Sequence, residues 1–320
     1  MNEAGSAAID VREGGRWTLA QRLKNDVLWL LVSLALATLG RLSPRALRTV
    51  GVALGRLAHA VVWPARRIAD RNVALAFPEL DREARRALVA RTYRTLGGYL
   101  GEAVAMLDPA RVVDPLPFAT GAREALDLAI AEKRGVLFAS AHLGPWERVA
   151  ATLVMSEVPF TAVTREAYDP RLTRLYDRLR GGRGLATLYR GAPGAAAGLL
   201  RTLRRGHVLG IPMDLASRVP SIEVPFLGRP ARTPVGPARL ALRTGAAVVV
   251  GVPAAREGTS ELELTICRIA TDDLEPGPAG ERILTTRIND LLSARIRAFP
   301  EAWVWMHPRW ASTATDQTTV

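Results

Sequence analysis

The chain has a single cysteine, Cys267, and only four histidines in 320 residues. One cysteine excludes an internal disulfide and fits a reducing compartment. No zinc-type Cys/His cluster, no P-loop, no G-x-G-x-x-G after a strand and no RNP-like motif is present, so nucleotide-cradling and metal-centred readings have no support and no metal ligands are assigned. Lysine is almost missing as well: Lys24 and Lys133 are the only two, and arginine carries the rest of the 43 cations. The formal net charge of +12 calls for an anionic partner. With no nucleic-acid motif, a membrane surface or a phosphorylated substrate is the better candidate, and nucleic acid is set aside. No apolar run reaches the length of a bilayer span. The longest, Val27–Leu39, would extend about 20 Å as a helix against a hydrocarbon core of about 30 Å. It also lacks a signal-type cleavage site. It reads as a short or tilted anchor, or a helix embedded in one leaflet, flanked by Arg22 and Lys24 on one side and Arg41, Arg45 and Arg48 on the other.

Residues 1–20 are polar and expected to be disordered, as is the tail 312–320. Residues 21–115 read as a membrane-associated helical region: the apolar run, a second apolar helix over Val50–Trp63 ending at Pro64, and a long helix capped by Asp81 and running to about Met106. Arginines scattered along it suit anionic headgroups. A proline-rich stretch from Asp108 to Pro117 leads into residues 116–311, where strand-type and helix-type segments alternate. That alternation predicts an α/β fold with a largely parallel central sheet flanked by helices. Thr233 is expected to cap a helix opened by Pro234 and running to Thr244.

The stretch Val136–Glu147, VLFASAHLGPWE, is the richest in chemistry. A short apolar strand delivers His142, Gly144-Pro145 turns the chain, and Pro145 opens a helix with Glu147 in its first turn. A tight reversal would bring the Glu147 carboxylate to the His142 imidazole. A carboxylate on one ring nitrogen fixes the tautomer and raises the basicity of the other, giving a general base for a hydroxyl. Arg165, Arg190 and Asp214 lie just past three further predicted strand ends. In parallel sheets ligands bind outside the carboxyl ends of the strands, so these four residues can converge on one cleft.

The chain resembles the bacterial late acyltransferases of lipid A biosynthesis (the lauroyl/myristoyl family) and their kin acting on phosphatidylinositol mannosides. The resemblance rests on HLGPWE at 142–147, NVALAFPEL at Asn72–Leu80, Thr164-Arg165, the run Val224–Ala246 and PEAWVWMHPRW at Pro300–Trp310. The residues around Asp214, Pro212-Met213-Asp214-Leu215, depart from the family's usual pattern. The resemblance implies a glycerolipid acyltransferase-like fold. It also implies transfer of a fatty acyl group, from acyl carrier protein or coenzyme A thioester as co-substrate and with no other cofactor, to a hydroxyl of a membrane glycolipid. A lipid A precursor is the first choice of acceptor; phosphatidylinositol mannoside and lysophospholipid are alternatives, and a non-catalytic membrane-binding protein is a further one. In this reading His142 is the base, Glu147 orients and charge-balances it, Arg165, Arg190 and Arg232 meet substrate phosphates, and Asp214 lines the same substrate site. Trp303, Trp305 and Trp310 are assigned to packing. The site would face the cytoplasm at the inner membrane.

Overall fold

A computed structural model describes residues 15–310 apart from Ser260. Most of the expected N-terminal disorder and all of the expected tail lie outside the described residues. Within residues 15–20, Thr18 already caps a helix.

Four helices come first: α1 (Leu19–Leu39), α2 (Pro44–Val61), α3 (Trp63–Ala76) and α4 (Arg82–Ala105). Their starts are local. Thr18 and Gln21 form a reciprocal capping box on α1, Ser43 caps α2 with Pro44 at its first turn, and Asp81 caps α4. There follow α5 (Ala122–Ala131), β1 (Val136–Ser140), α6 (Trp146–Met155), β2 (Phe160–Thr164), α7 (Pro170–Gly181), β3 (Ala186–Tyr189), α8 (Ala195–Arg204) and β4 (Val208–Pro212). The chain ends with β5 (Ser221–Phe226), β6 (Arg229–Pro234), α9 (Gly236–Thr244), β7 (Ala247–Ala255), β8 (Leu262–Ile269) and α10 (Pro278–Ala298).

The main sheet has the order β3-β2-β4-β1-β7-β8, parallel except for the edge strand β8. The fold is α/β with a mostly parallel sheet between helices, as the alternating pattern predicts. Strand β1 sits near its middle and is apolar on both faces, as a doubly covered strand must be. Val136 and Phe138 pack with α5 and α6 on one side. Leu137 and Ala139 pack on the other with α3, α4, α10, Trp303 and Trp305. Thr233 does not cap a helix. It lies in β6, antiparallel to β5, and α9 begins only at Gly236. The hairpin is made by Leu227 and Gly228, whose φ values of 51° and 81° give the two left-handed positions that a two-residue turn of matching twist requires.

Helices α2 and α4 touch backbone to backbone. Gly51 and Gly55 on α2 face Gly97 and Gly101 on α4, four residues apart on each helix. A Cβ at Gly51 would lie 2.1 Å from the Gly97 carbonyl oxygen, and one at Gly55 2.1 Å from that of Tyr93. No helix among the described residues is long and apolar enough to cross a membrane. Instead α1 exposes a stripe of Leu19, Leu23, Val27, Leu30, Leu31 and Leu34 at helical spacing. It is pinned to the start of α7 by Arg171, which donates to Asp26 at 2.7 Å and lies over the rings of Trp17 and Trp29.

Gly55→Leu should force α2 away from α4 because the obstacle is backbone. The expected loss is at least about 1–3 kcal/mol, read as a lowered unfolding midpoint. An unchanged midpoint would show that the helices do not need this approach.

Candidate active site

The site follows from strand register. β1 and β4 are parallel neighbours paired Val136↔Val208 through Ser140↔Pro212. Two residues further on, the same register sets His142 beside Asp214. The backbone keeps step past the strand ends, with Met213 N–H donating to the Ser140 carbonyl at 2.9 Å. The His142 backbone N–H donates to Asp214 Oδ2 at 2.8 Å, and His142 Nδ1 lies 3.0 Å from Asp214 Oδ1. Nδ1 engaged as a donor leaves Nε2 as the basic nitrogen. Asp214 is fully buried, whereas 31% of the His142 side chain remains exposed to the cleft.

The carboxylate on the imidazole is therefore Asp214. Glu147, in the first turn of α6, instead receives a two-pronged bond from Arg180 near the end of α7: Nε to Oε2 at 3.1 Å and Nη2 to Oε1 at 2.6 Å. Both side chains are nearly buried, so removing either would strand a buried charge. The reversal at Gly144 does bring α6 back over His142: Trp146 packs edge-on against the imidazole, with ring centroids 5.4 Å apart. Glu147 and Arg180 still reach His142 as opposing charges.

Arg165 and Arg190 lie directly beyond β2 and β3, at the same sheet edge as His142 and Asp214. Arg190 donates to Ser217 Oγ at 2.7 Å. Arg232 sits apart from them, on the β5–β6 hairpin opposite Glu223, with its side chain exposed. Three residues close to the pair were missed by sequence reasoning. Arg180 carries no motif of its own. Trp303 donates its indole N–H to Asp214 Oδ2 at 2.8 Å, a polar role beyond packing. Arg309 is buried, bonded to the Arg232 carbonyl at 2.6 Å and Thr233 Oγ1 at 2.8 Å, and its charge faces Asp214.

A cavity of about 90 Å³ opens behind His142 between the sheet and α6. Phe138 and Phe160 wall it, edge to face with centroids 5.6 Å apart. They fit because β4 and β7 present glycine there: a Cβ at Gly210 would lie 2.2 Å from Phe160, and one at Gly251 1.9 Å from Phe138. Among the described residues no group of three His, Cys, Asp or Glu side chains is placed to hold a metal ion.

A family model for bacterial lipid A biosynthesis acyltransferases matches residues 18–312. Lipid A biosynthesis lauroyltransferase of Escherichia coli (strain K12) is 28% identical over 293 residues, 88% of each chain. Phosphatidylinositol mannoside acyltransferase of Mycobacterium tuberculosis (strain CDC 1551 / Oshkosh) is 26% identical over 204 residues, 61% of each chain. Lipid A biosynthesis palmitoleoyltransferase of E. coli (strain K12) is 24% identical over 297 residues, 92% of each chain.

Burial favours the neutral imidazole, but the Asp214 charge and hydrogen bond outweigh it, with Glu147 adding to them and Arg180 opposing, so the His142 pKa is raised. Burial likewise opposes ionisation of Asp214, and the charge of His142 with the bonds from its ring, from Trp303 and from the His142 backbone overcome it, so the Asp214 pKa is depressed. The raised imidazole contributes stability that is full below its unfolded value and fades as pH rises through the folded one. The depressed carboxylate contributes stability that is present above its unfolded value and is lost as pH falls through the folded one. A base must be neutral, so the acid limb of kcat/KM should lie above the ordinary imidazole value. Asp214→Asn should move that limb downward and cost about 10²-fold or more in kcat. Glu147→Gln should move it less; a larger shift for Glu147→Gln would make Glu147 the functional partner.

Proposed function

The chain belongs to the bacterial lipid A biosynthesis acyltransferase family, and on that premise we propose that it moves a fatty acyl group from an acyl thioester to a hydroxyl of a membrane glycolipid, with His142 as general base. It is an acyltransferase by family; the donor, the acceptor and the residue roles are the proposal. The observation that carries it is the His142–Asp214 pair at the carboxyl edge of the sheet, with one ring nitrogen bonded and the ring open to the cleft.

In this mechanism His142 Nε2 takes the proton of the acceptor hydroxyl as its oxygen attacks the thioester carbonyl. Asp214 compensates the imidazolium. The oxyanion forms near the start of α6, whose dipole presents its positive end there, with Arg180 held at that first turn by Glu147. Collapse breaks the C–S bond, and the departing thiolate takes the proton from His142, leaving ester and free thiol. No acyl-enzyme is needed, because a thiolate leaves readily and Cys267 lies in β8, away from the pair. The cavity behind His142 receives the first carbons of the donor chain, and Phe138 and Phe160 must shift to admit more. Arg165 and Arg190 are placed for acceptor phosphates at the same edge. Arg232, on the hairpin, would meet a more distant part of the acceptor.

The protein works at the inner membrane surface, with its site on the cytoplasmic side, where acyl carrier protein and coenzyme A thioesters are available. What supports this is the exposed leucine stripe of α1, pinned by Arg171 to the start of α7, just past the loop that carries Arg165. A helix lying in the interface with basic flanks would set the cleft at headgroup level. Each leucine taken out of water contributes up to about 2 kcal/mol.

Lipid mass spectrometry of cells lacking the chain, complemented with wild type or His142→Ala, tests the reaction. A lipid A precursor one acyl chain light in both the deletion and the His142→Ala strain is expected. A light phosphatidylinositol mannoside would transfer the same chemistry to that acceptor, and full acylation by His142→Ala would remove His142 as the base. Replacing Leu23, Val27 and Leu31 by Asp together should move the protein from the membrane to the soluble fraction; unchanged sedimentation would place the attachment elsewhere.

A further inference from the structure

Asn72–Leu80 and Pro300–Trp310 take no part in the chemistry above, yet the fold lays both beside it. Asn72 is buried near the end of α3 and donates through Nδ2 to two carbonyls of the C-terminal segment, those of Trp305 at 2.8 Å and His307 at 2.6 Å. Phe77 packs its ring on Trp305, with centroids 5.7 Å apart. Held in this way, the segment runs along the turn that carries His142. Gly144 N–H donates to the Ala302 carbonyl at 2.9 Å, and Leu143 and Trp303 pair as an antiparallel bridge. Trp303 is fully buried, and its indole N–H ends on Asp214 Oδ2, the oxygen that also accepts the His142 backbone N–H. Two donors converging on Oδ2 fix the plane of the carboxylate, which leaves Oδ1 directed at the imidazole. Trp305, stacked edge-on to Trp303 with centroids 4.6 Å apart, shows the alternative: its N–H simply closes on the Pro300 carbonyl.

We propose that Trp303 is a positioning residue for acyl transfer, its indole N–H fixing the Asp214 carboxylate against His142, and that Asn72 holds it in place by tying down the segment that carries it. The proposal rests on the reading of His142 as the base. A carboxylate that gives part of its charge to a second donor binds an imidazolium less tightly. Loss of the indole bond therefore leaves more charge on Asp214 toward the ring and also frees the carboxylate to rotate. The ring should hold its proton to higher pH, and turnover should fall through misplacement of the base. The other groups facing the imidazole are Glu147 on α6, Arg180 on α7 and His307 on the C-terminal segment; Trp303→Phe leaves all three and their bonds in place, whereas Asn72→Ala also frees the His307 carbonyl.

With only four histidines in the chain, isotope-labelled histidine in the full-length protein in detergent micelles gives a tractable titration by NMR. The His142 signal is the one lost in His142→Gln. Trp303→Phe is expected to raise the His142 midpoint by roughly half a pH unit, and to lower kcat for release of thiol from palmitoyl coenzyme A by about tenfold with KM unchanged. Asn72→Ala should shift the midpoint in the same direction. Trp305→Phe, which removes an equivalent buried N–H from the same aromatic cluster, should leave the midpoint where it was. An unmoved midpoint in Trp303→Phe, or equal shifts in Trp303→Phe and Trp305→Phe, would overturn the proposal. If Trp303→Phe does not fold, Asn72→Ala decides, and a wild-type midpoint there overturns it. An active His142→Gln would instead overturn the reading of His142 as the base, whatever the titrations show.

Discussion

The pairing of β1 with β4 is the constraint on which the rest depends. Parallel neighbours in register end at the same level, so residues two positions beyond Ser140 and Pro212 have to meet. His142 and Asp214 occupy those positions, 72 residues apart in sequence. A slip of one residue in β1 would turn its side chains to the other face of the sheet and part His142 from Asp214. β1 is apolar on both faces, so side-chain size rather than polarity opposes that slip: the Phe138 ring occupies the space that Gly251 leaves open and meets Phe160, which lies over Gly210, and the core that stabilises the sheet also sets the spacing of the site.

Around this pair the protein places charges so that burial does not neutralise them. Asp214 is fully buried, yet it is bonded three times, by the His142 backbone, the His142 ring and Trp303. Glu147 and Arg180 satisfy one another on the other side of the ring. A buried carboxylate without such donors would take up a proton and lose its hold on the imidazole. The C-terminal segment and α3 are thus tied to the same local requirement as the strands, although they stand at opposite ends of the chain.

The leucines of α1 raise a different question of solvent. A stripe of this kind would be a liability on a protein surrounded only by water. Arg171 pins α1 beside the loop that carries Arg165 and leaves the leucines outward. The glycine contacts of α2 with α4 complete this end of the molecule by bringing the two helices to backbone contact.

Much was legible in the residues themselves, because local physics wrote it. Capping by Asp81, the apolar strands and the turn at Gly144 set the order of elements, whereas the Thr18 cap falls within residues 1–20, which read as disordered. The HLGPWE stretch pointed to His142. What the sequence could not carry was adjacency. Glu147 looked like the partner of His142 because it is near in the chain, whereas strand order and register gave that place to Asp214 and turned Glu147 to Arg180. The β5–β6 hairpin was hidden because Thr233-Pro234 has the local form of a helix start, and only pairing across Leu227-Gly228 makes it a strand. The indole of Trp303 read as core for the same reason: an apolar ring is visible in a sequence, but the target of its N–H is decided by what the fold brings within 3 Å. The sequence by itself determined most of the helices and the strands of the central sheet, and the chemical groups available, since those depend on neighbours along the chain. Only the tertiary structure decided which groups meet, since that depends on the order and register of strands far apart in it.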